Sequence, residues 1–117
     1  MQNNFIFEAI KTSKQKMDLA QEQWWEQYQN DSNAVMLDVR TDEEVEEVSI
    51  PNAINIDIYK GQGFLDAVEQ LDKTKNYYVY CKAGGRSNQA CMLMNQLGFE
   101  NTFNLLGGIT EWEGPTV

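Results

Sequence analysis

The chain has 117 residues, 42% hydrophobic and 23% charged, which suits one packed core and excludes both a disordered chain and a two-core architecture. Its formal net charge of −9 excludes the broad basic surface that non-specific binding to nucleic acid or to an anionic membrane requires. It has no histidine and two cysteines, Cys81 and Cys91, in no CxxC pair, which excludes a Cys–His dyad, a Ser–His–Asp triad and a His-ligated metal; no metal and no cofactor is expected.

Residues 1–16 mix polar and apolar side chains, and Phe5, Ile6, Ala9 and Ile10 have loose helical spacing, as in a short helix or a packed arm ahead of a domain spanning 17–117. Glu8 interrupts the apolar run and no basic residue precedes it, so neither a signal peptide nor a membrane span is expected. Asp18 with Gln21 forms a capping-box pattern for a helix to about Gln29 that presents Leu19, Trp24, Trp25 and Tyr28 to a sheet. Two adjacent tryptophans cannot both face the core from one helix, so one of them should be half exposed. After the turn Asn30–Asn33, the run Ala34–Val39 reads as a strand apolar on both faces, the signature of a parallel sheet covered by helices. Asp38 and Arg40 interrupt it at its C-terminal end, where ligand sites gather in open α/β sheets; tying loops together is the simpler role for such a pair. Thr41-Asp42-Glu43-Glu44 is a second capping box, opening an acidic helical turn that Pro51 ends.

Asn52–Ile56 reads as a short strand, and Phe64, Leu65, Val68 and Leu71 have helical spacing. The chain's densest signal follows: the apolar run Tyr77–Tyr80 stops on Cys81, and Lys82-Ala83-Gly84-Gly85-Arg86-Ser87 leads into a helix to Leu97, closed by Gly98. Ala90, Leu93, Met94 and Leu97 make that helix's buried stripe, and Cys91 within it reads as a buried small hydrophobe in a reduced protein. Gly84 and Gly85 let the loop curl with its N–H groups inward, and Ser87 is placed to cap the helix. A thiol in such a nest, flanked by Lys82 and Arg86, is shifted toward the nucleophilic thiolate. A final strand, Thr102–Leu106, leads through Gly107-Gly108 to a brief helix at Ile109–Trp112, whose tryptophan closes the core. Strands alternating with helices make the fold α/β, with a central parallel sheet of about five strands and helices on both faces.

Four stretches in order, Leu37-Asp38-Val39-Arg40, Ile50-Pro51-Asn52-Ala53-Ile54-Asn55, Cys81–Ser87 and Asn104–Ile109 with Trp112, resemble a single-domain rhodanese-like (thiosulfate sulfurtransferase) protein over residues 17–117. The resemblance implies a sulfurtransferase that forms a persulfide on Cys81, and the unpaired, reduced cysteines imply a cytoplasmic setting for it. Its donor would be a small anion such as thiosulfate, and its acceptor a thiol, cyanide or a partner protein. It further implies that the loop N–H groups from Lys82 to Ser87 cradle the sulfur, that Arg86 and Lys82 attract the donor, and that Asp38 and Arg40 brace the loop. In place of the family's usual Gly-His-Ile-Pro-Gly-Ala run stands Val48-Ser49-Ile50-Pro51-Asn52-Ala53, without the histidine and both glycines.

Three other functions compete. A cysteine phosphatase or arsenate reductase also uses a thiolate in an anion nest, but those loops place five residues between Cys and Arg where this chain has four, a tighter cradle better matched to one sulfur than to a tetrahedral phosphoryl group. A persulfide carrier dedicated to one protein partner fits the same loop, with Trp24 or Trp25 as a candidate contact. A non-catalytic binding module has no chemical need for the thiol.

Overall fold

The computed structural model describes residues 15–117. The arm or helix expected before the domain lies outside the described residues except at its end, where Gln15 and Lys16 open the first strand. Five parallel strands, β1 (Gln15–Leu19), β2 (Ala34–Asp38), β3 (Ile54–Asn55), β4 (Asn76–Tyr80) and β5 (Asn101–Leu105), line up in the order β1-β5-β4-β2-β3. Four α-helices connect them: α1 (Gln21–Gln29), α2 (Asp42–Glu47), α3 (Gln62–Glu69) and α4 (Gly85–Gln96). Short 3-10 turns at Ile58–Lys60 and Ile109–Glu111 complete the described fold.

The alternation of β4 builds the core. Tyr77, Val79 and Cys81 point to one face, where Phe64 and Val68 of α3 and Ala90, Cys91 and Met94 of α4 cover them. Tyr78 and Tyr80 point to the other face, against Trp24 of α1, Met36, Ile50 and Leu105. Both faces of the sheet are therefore dry, and a buried aromatic there contributes about 1.5–3 kcal/mol. Trp24 is fully buried and donates its indole N–H to the Phe103 carbonyl at 3.1 Å. Trp25 is half-buried and meets Trp112 edge-on at 5.3 Å between ring centres, the division the adjacent pair required.

Two local expectations fail for the same reason, namely that tertiary partners claim the side chain. Asp18 does not cap a helix: it lies in β1, its carboxylate accepts from Asn104 Nδ2, and α1 starts after Ala20 with no side-chain cap. Ser87 is not an N-cap either. The helix begins two residues earlier, behind a left-handed Gly84 (φ 108°), and Ser87 sits in its first turn with its side chain turned back toward Cys81. The capping box of Thr41 and Glu44 is present as expected.

Because all five strands run the same way, their C-terminal ends share one edge of the sheet. The register sets Asp38 beside Tyr80, so the segments after β2 and β4 emerge together, and the turn after β5 folds in from the other side.

Candidate active site

Cys81 follows the last residue of β4 and is 1% exposed, although its neighbours Lys82, Ala83 and Gly85 are open to solvent. The loop wraps its sulfur. Gly84 N–H donates to Sγ at 3.1 Å, Ser87 N–H at 3.4 Å, and the Ser87 hydroxyl lies 3.3 Å away. Burial pushes the thiol up, but the Ser87 hydroxyl, where it turns to the sulfur, and the N–H groups of Ser87, Gly84 and Ala83 outweigh it and leave Cys81 below its ordinary range. The shift has the direction that a nest of oriented dipoles gives.

Two cations were expected to supply it as well. Arg86 is committed elsewhere: its two terminal nitrogens grip the Glu44 carboxylate at 2.7 and 2.9 Å, and the guanidinium lies over the Tyr59 ring, 5.2 Å from its centre. The Glu44 carboxylate also takes the Thr41 N–H of its capping box at 3.1 Å. Arg86 first of all, against a smaller opposing effect of burial, holds Glu44 down to about 2. Lys82 is exposed and has no ion pair among the described residues.

Asp38 and Arg40 form a buried pair, 1% and 2% exposed. Arg40 donates Nε to Oδ1 at 3.0 Å and Nη2 to Oδ2 at 2.7 Å. The same guanidinium reaches the Val48 carbonyl at 2.8 Å and lies over the Tyr80 ring. Asn55 clasps the carbonyls of both residues at 2.9 Å. The pair therefore fastens the end of β2 to the segment after α2, and it meets the strand beneath the sulfur loop at the Tyr80 ring and the loop itself through α2, whose Glu44 holds Arg86.

Sequence reasoning missed three residues of the site. Glu44 was recognised as a cap and not as the partner of Arg86. Asn104, 2% exposed, accepts from the Ser87 hydroxyl; its signal was a polar residue inside an otherwise apolar strand end. Gly108, at φ 57° and ψ −162°, seats the 3-10 turn Ile109–Glu111 on the loop, where Ile109 N–H bonds the Cys81 carbonyl and Thr110 N–H the Lys82 carbonyl, each at 3.0 Å. A hollow of about 480 Å³ lined by Asn30, Asp31, Asn76 and Tyr78 sits at the opposite end of the strands, away from the thiol. Among the described residues no cluster of potential metal ligands occurs.

This geometry aims N–H groups at the place where a thiolate would carry its charge. A family model described as Rhodanese-like domain matches residues 21–115. The chain is 38% identical over 91 residues to the Bacillus subtilis (strain 168) protein named "Putative sulfurtransferase YtwF", covering 78% of this chain and 84% of that one. It is 30% identical over 80 residues to a protein of Allochromatium vinosum named "Sulfurtransferase", covering 68% and 72% respectively. The crystal structure of a rhodanese-related protein from Thermoplasma volcanium superposes with a TM-score of 0.74 at 30% identity, over 86% of this chain and 97% of that one.

Proposed function

The chain belongs to the rhodanese-like domain family, and from that membership we propose that it is a sulfurtransferase acting through Cys81. The observation that carries the reading is the pair of N–H groups, Gly84 at 3.1 Å and Ser87 at 3.4 Å, converging on one lowered thiol in a loop with four residues between Cys81 and Arg86.

In the first half-reaction the Cys81 thiolate attacks the outer sulfur of a sulfane donor such as thiosulfate. A Cys81 S–S bond forms, the donor's S–S bond breaks, and sulfite departs with the electron pair. In the second, cyanide or an acceptor thiolate attacks the terminal sulfur and the Cys81 thiolate leaves. Negative charge sits in turn on the inner and the outer sulfur, and the loop N–H groups stabilise it at both positions without reorganising. Lys82, exposed at the rim, draws in an anionic donor against the chain's acidic background. Arg86 acts mainly through structure, fixing the first turn of α4 by its ion pair with Glu44. Asp38 and Arg40 support the loop at one remove, through the segment that carries Glu44.

Treatment with thiosulfate is expected to add one sulfur to Cys81 by intact-mass measurement, and cyanide to remove it as thiocyanate. Cys81→Ser should gain nothing. A protein that takes up no sulfur from thiosulfate or from low-molecular-weight persulfides overturns the reading.

Cys91 has no part in this chemistry. It is fully buried in α4, where burial foremost pushes its thiol up to about 12, so it is neither a nucleophile nor a resolving thiol at neutral pH. Cys91→Ala should retain sulfur transfer within about two-fold while losing roughly 1 kcal/mol of stability to the small cavity. Transfer kinetics and a thermal melt check both halves.

A further inference from the structure

The hydroxyl beside the Cys81 sulfur has a second acceptor. Ser87 is fully buried, and its Oγ lies 3.3 Å from Sγ but 2.5 Å from Asn104 Oδ1. A serine hydroxyl has one proton to give. The far end of the Asn104 amide decides which way it faces: Nδ2 meets the Asp18 carboxylate at 3.0 Å and the Gly84 carbonyl at 3.4 Å, and both of these can only accept. Oδ1 must therefore face Ser87, and as a carbonyl oxygen it too can only accept. At rest the hydroxyl proton lies toward Asn104, and the sulfur meets an oxygen lone pair.

We propose that Asn104, held in this orientation by Asp18, is a positioning residue that competes with the Cys81 sulfur for the single Ser87 hydroxyl proton. The inference rests on reading Cys81 as the reacting thiolate, and it adds two residues to that site. While Cys81 is a thiol it can donate to Ser87 Oγ, and while it carries an outer sulfur the inner sulfur is uncharged; in both states the hydroxyl stays on Asn104. When Cys81 is a bare thiolate, its charge draws the hydroxyl across, and Asn104 Oδ1 loses its donor in a site shut off from water. That loss weighs against the bare thiolate and in favour of the persulfide. No bond is made or broken in the turn; the thiol proton itself goes to solvent. The titratable groups set against the sulfur are Arg86 with its partner Glu44, Lys82 on the loop and the Cys91 thiol of α4, with Asp18 of β1 one step away behind Asn104. Their fields act whether or not residue 87 has a hydroxyl, which gives the test its control.

The test is the pH dependence of Cys81 alkylation by iodoacetamide, a reading to which the buried Cys91 contributes nothing. Asn104→Leu is expected to lower the thiol midpoint by about one pH unit, a ten-fold rise in thiolate per thiol, because the hydroxyl is then free for the sulfur. In a Ser87→Ala background the same substitution should produce no shift. Asp18→Asn, at a side chain 42% exposed where folding is not at risk, lets the amide turn over and should also lower the midpoint; the part that vanishes in Ser87→Ala measures the same coupling. Equal shifts in both backgrounds, no shift, or a rise overturns the proposal. Alkylation needs no sulfur donor, so a protein that shows the coupling yet never forms a persulfide would refute the sulfurtransferase reading and leave this one standing.

Discussion

Gly108→Ala is expected to slow persulfide formation on Cys81 by about 100-fold and to lower stability by about 3 kcal/mol, roughly 10 °C in melting temperature. Two independent effects combine. At φ 57° and ψ −162° the backbone occupies a region that is essentially closed to side-chain-bearing residues. A Cβ at this position would also stand 2.3 Å from the Lys82 carbonyl oxygen and 2.6 Å from the Ala83 nitrogen. Those are main-chain atoms of the sulfur cradle and cannot swing aside as a side chain does. Relieving the clash must move the Lys82–Ala83 peptide, and with it N–H groups whose aim at Sγ is the site's means of holding charge. Gly107→Ala is the control. Its φ is also positive, at 80°, but the atoms nearest the added Cβ all belong to the Glu111 side chain, so it should lose stability with much less loss of rate. Stopped-flow loading with thiosulfate and a thermal melt separate the two; equal rates for the two variants would show that the turn does not shape the cradle.

Arg40→Met is expected to cost about 3–5 kcal/mol, or 10–20 °C in melting temperature. The substitution strands the Asp38 carboxylate, 1% exposed, and takes the donor from the Val48 carbonyl, previously held at 2.8 Å. The pair is not strongly stabilising in itself, because desolvating both ions offsets most of their attraction. The large effect comes from leaving one charge alone. The double variant Asp38→Leu with Arg40→Met should therefore be more stable than Arg40→Met, a reversal that a simple sum of two lost contacts does not allow. Its sulfur loading should fall less steeply than its stability, since among the described residues the Arg40 side chain hydrogen-bonds to Asp38, Glu44 and Val48 and not to the Cys81 loop. A double variant less stable than either single one would show that the ion pair contributes net stability.

The layers of the fold follow from the chain alone because they depend on patterns repeated over many residues. Apolar runs such as Ala34–Val39 and Tyr77–Tyr80 can be satisfied only by a parallel sheet covered on both faces. The cradled thiol was equally legible, since a thiol at a strand end, two glycines and a helix start are contiguous and shape a nest whatever surrounds them. Local chemistry misled wherever a side chain had a better partner far along the chain. Asp18 and Ser87 are good caps by residue type, yet Asn104, 86 and 17 residues away, draws both into one hydrogen-bonded line. Arg86 reads as a free cation beside the sulfur until Glu44, 42 residues earlier, is brought within 2.7 Å by the parallel register of β2 and β4. A dry parallel sheet and a thiol cradled at its C-terminal edge are written in the chain, because both arise from neighbours along it. What surrounds the sulfur and its charge depends on packing between distant segments. Hydrogen bonds and ion pairs go to whichever partner the packing brings within about 3 Å, and no local pattern encodes that choice.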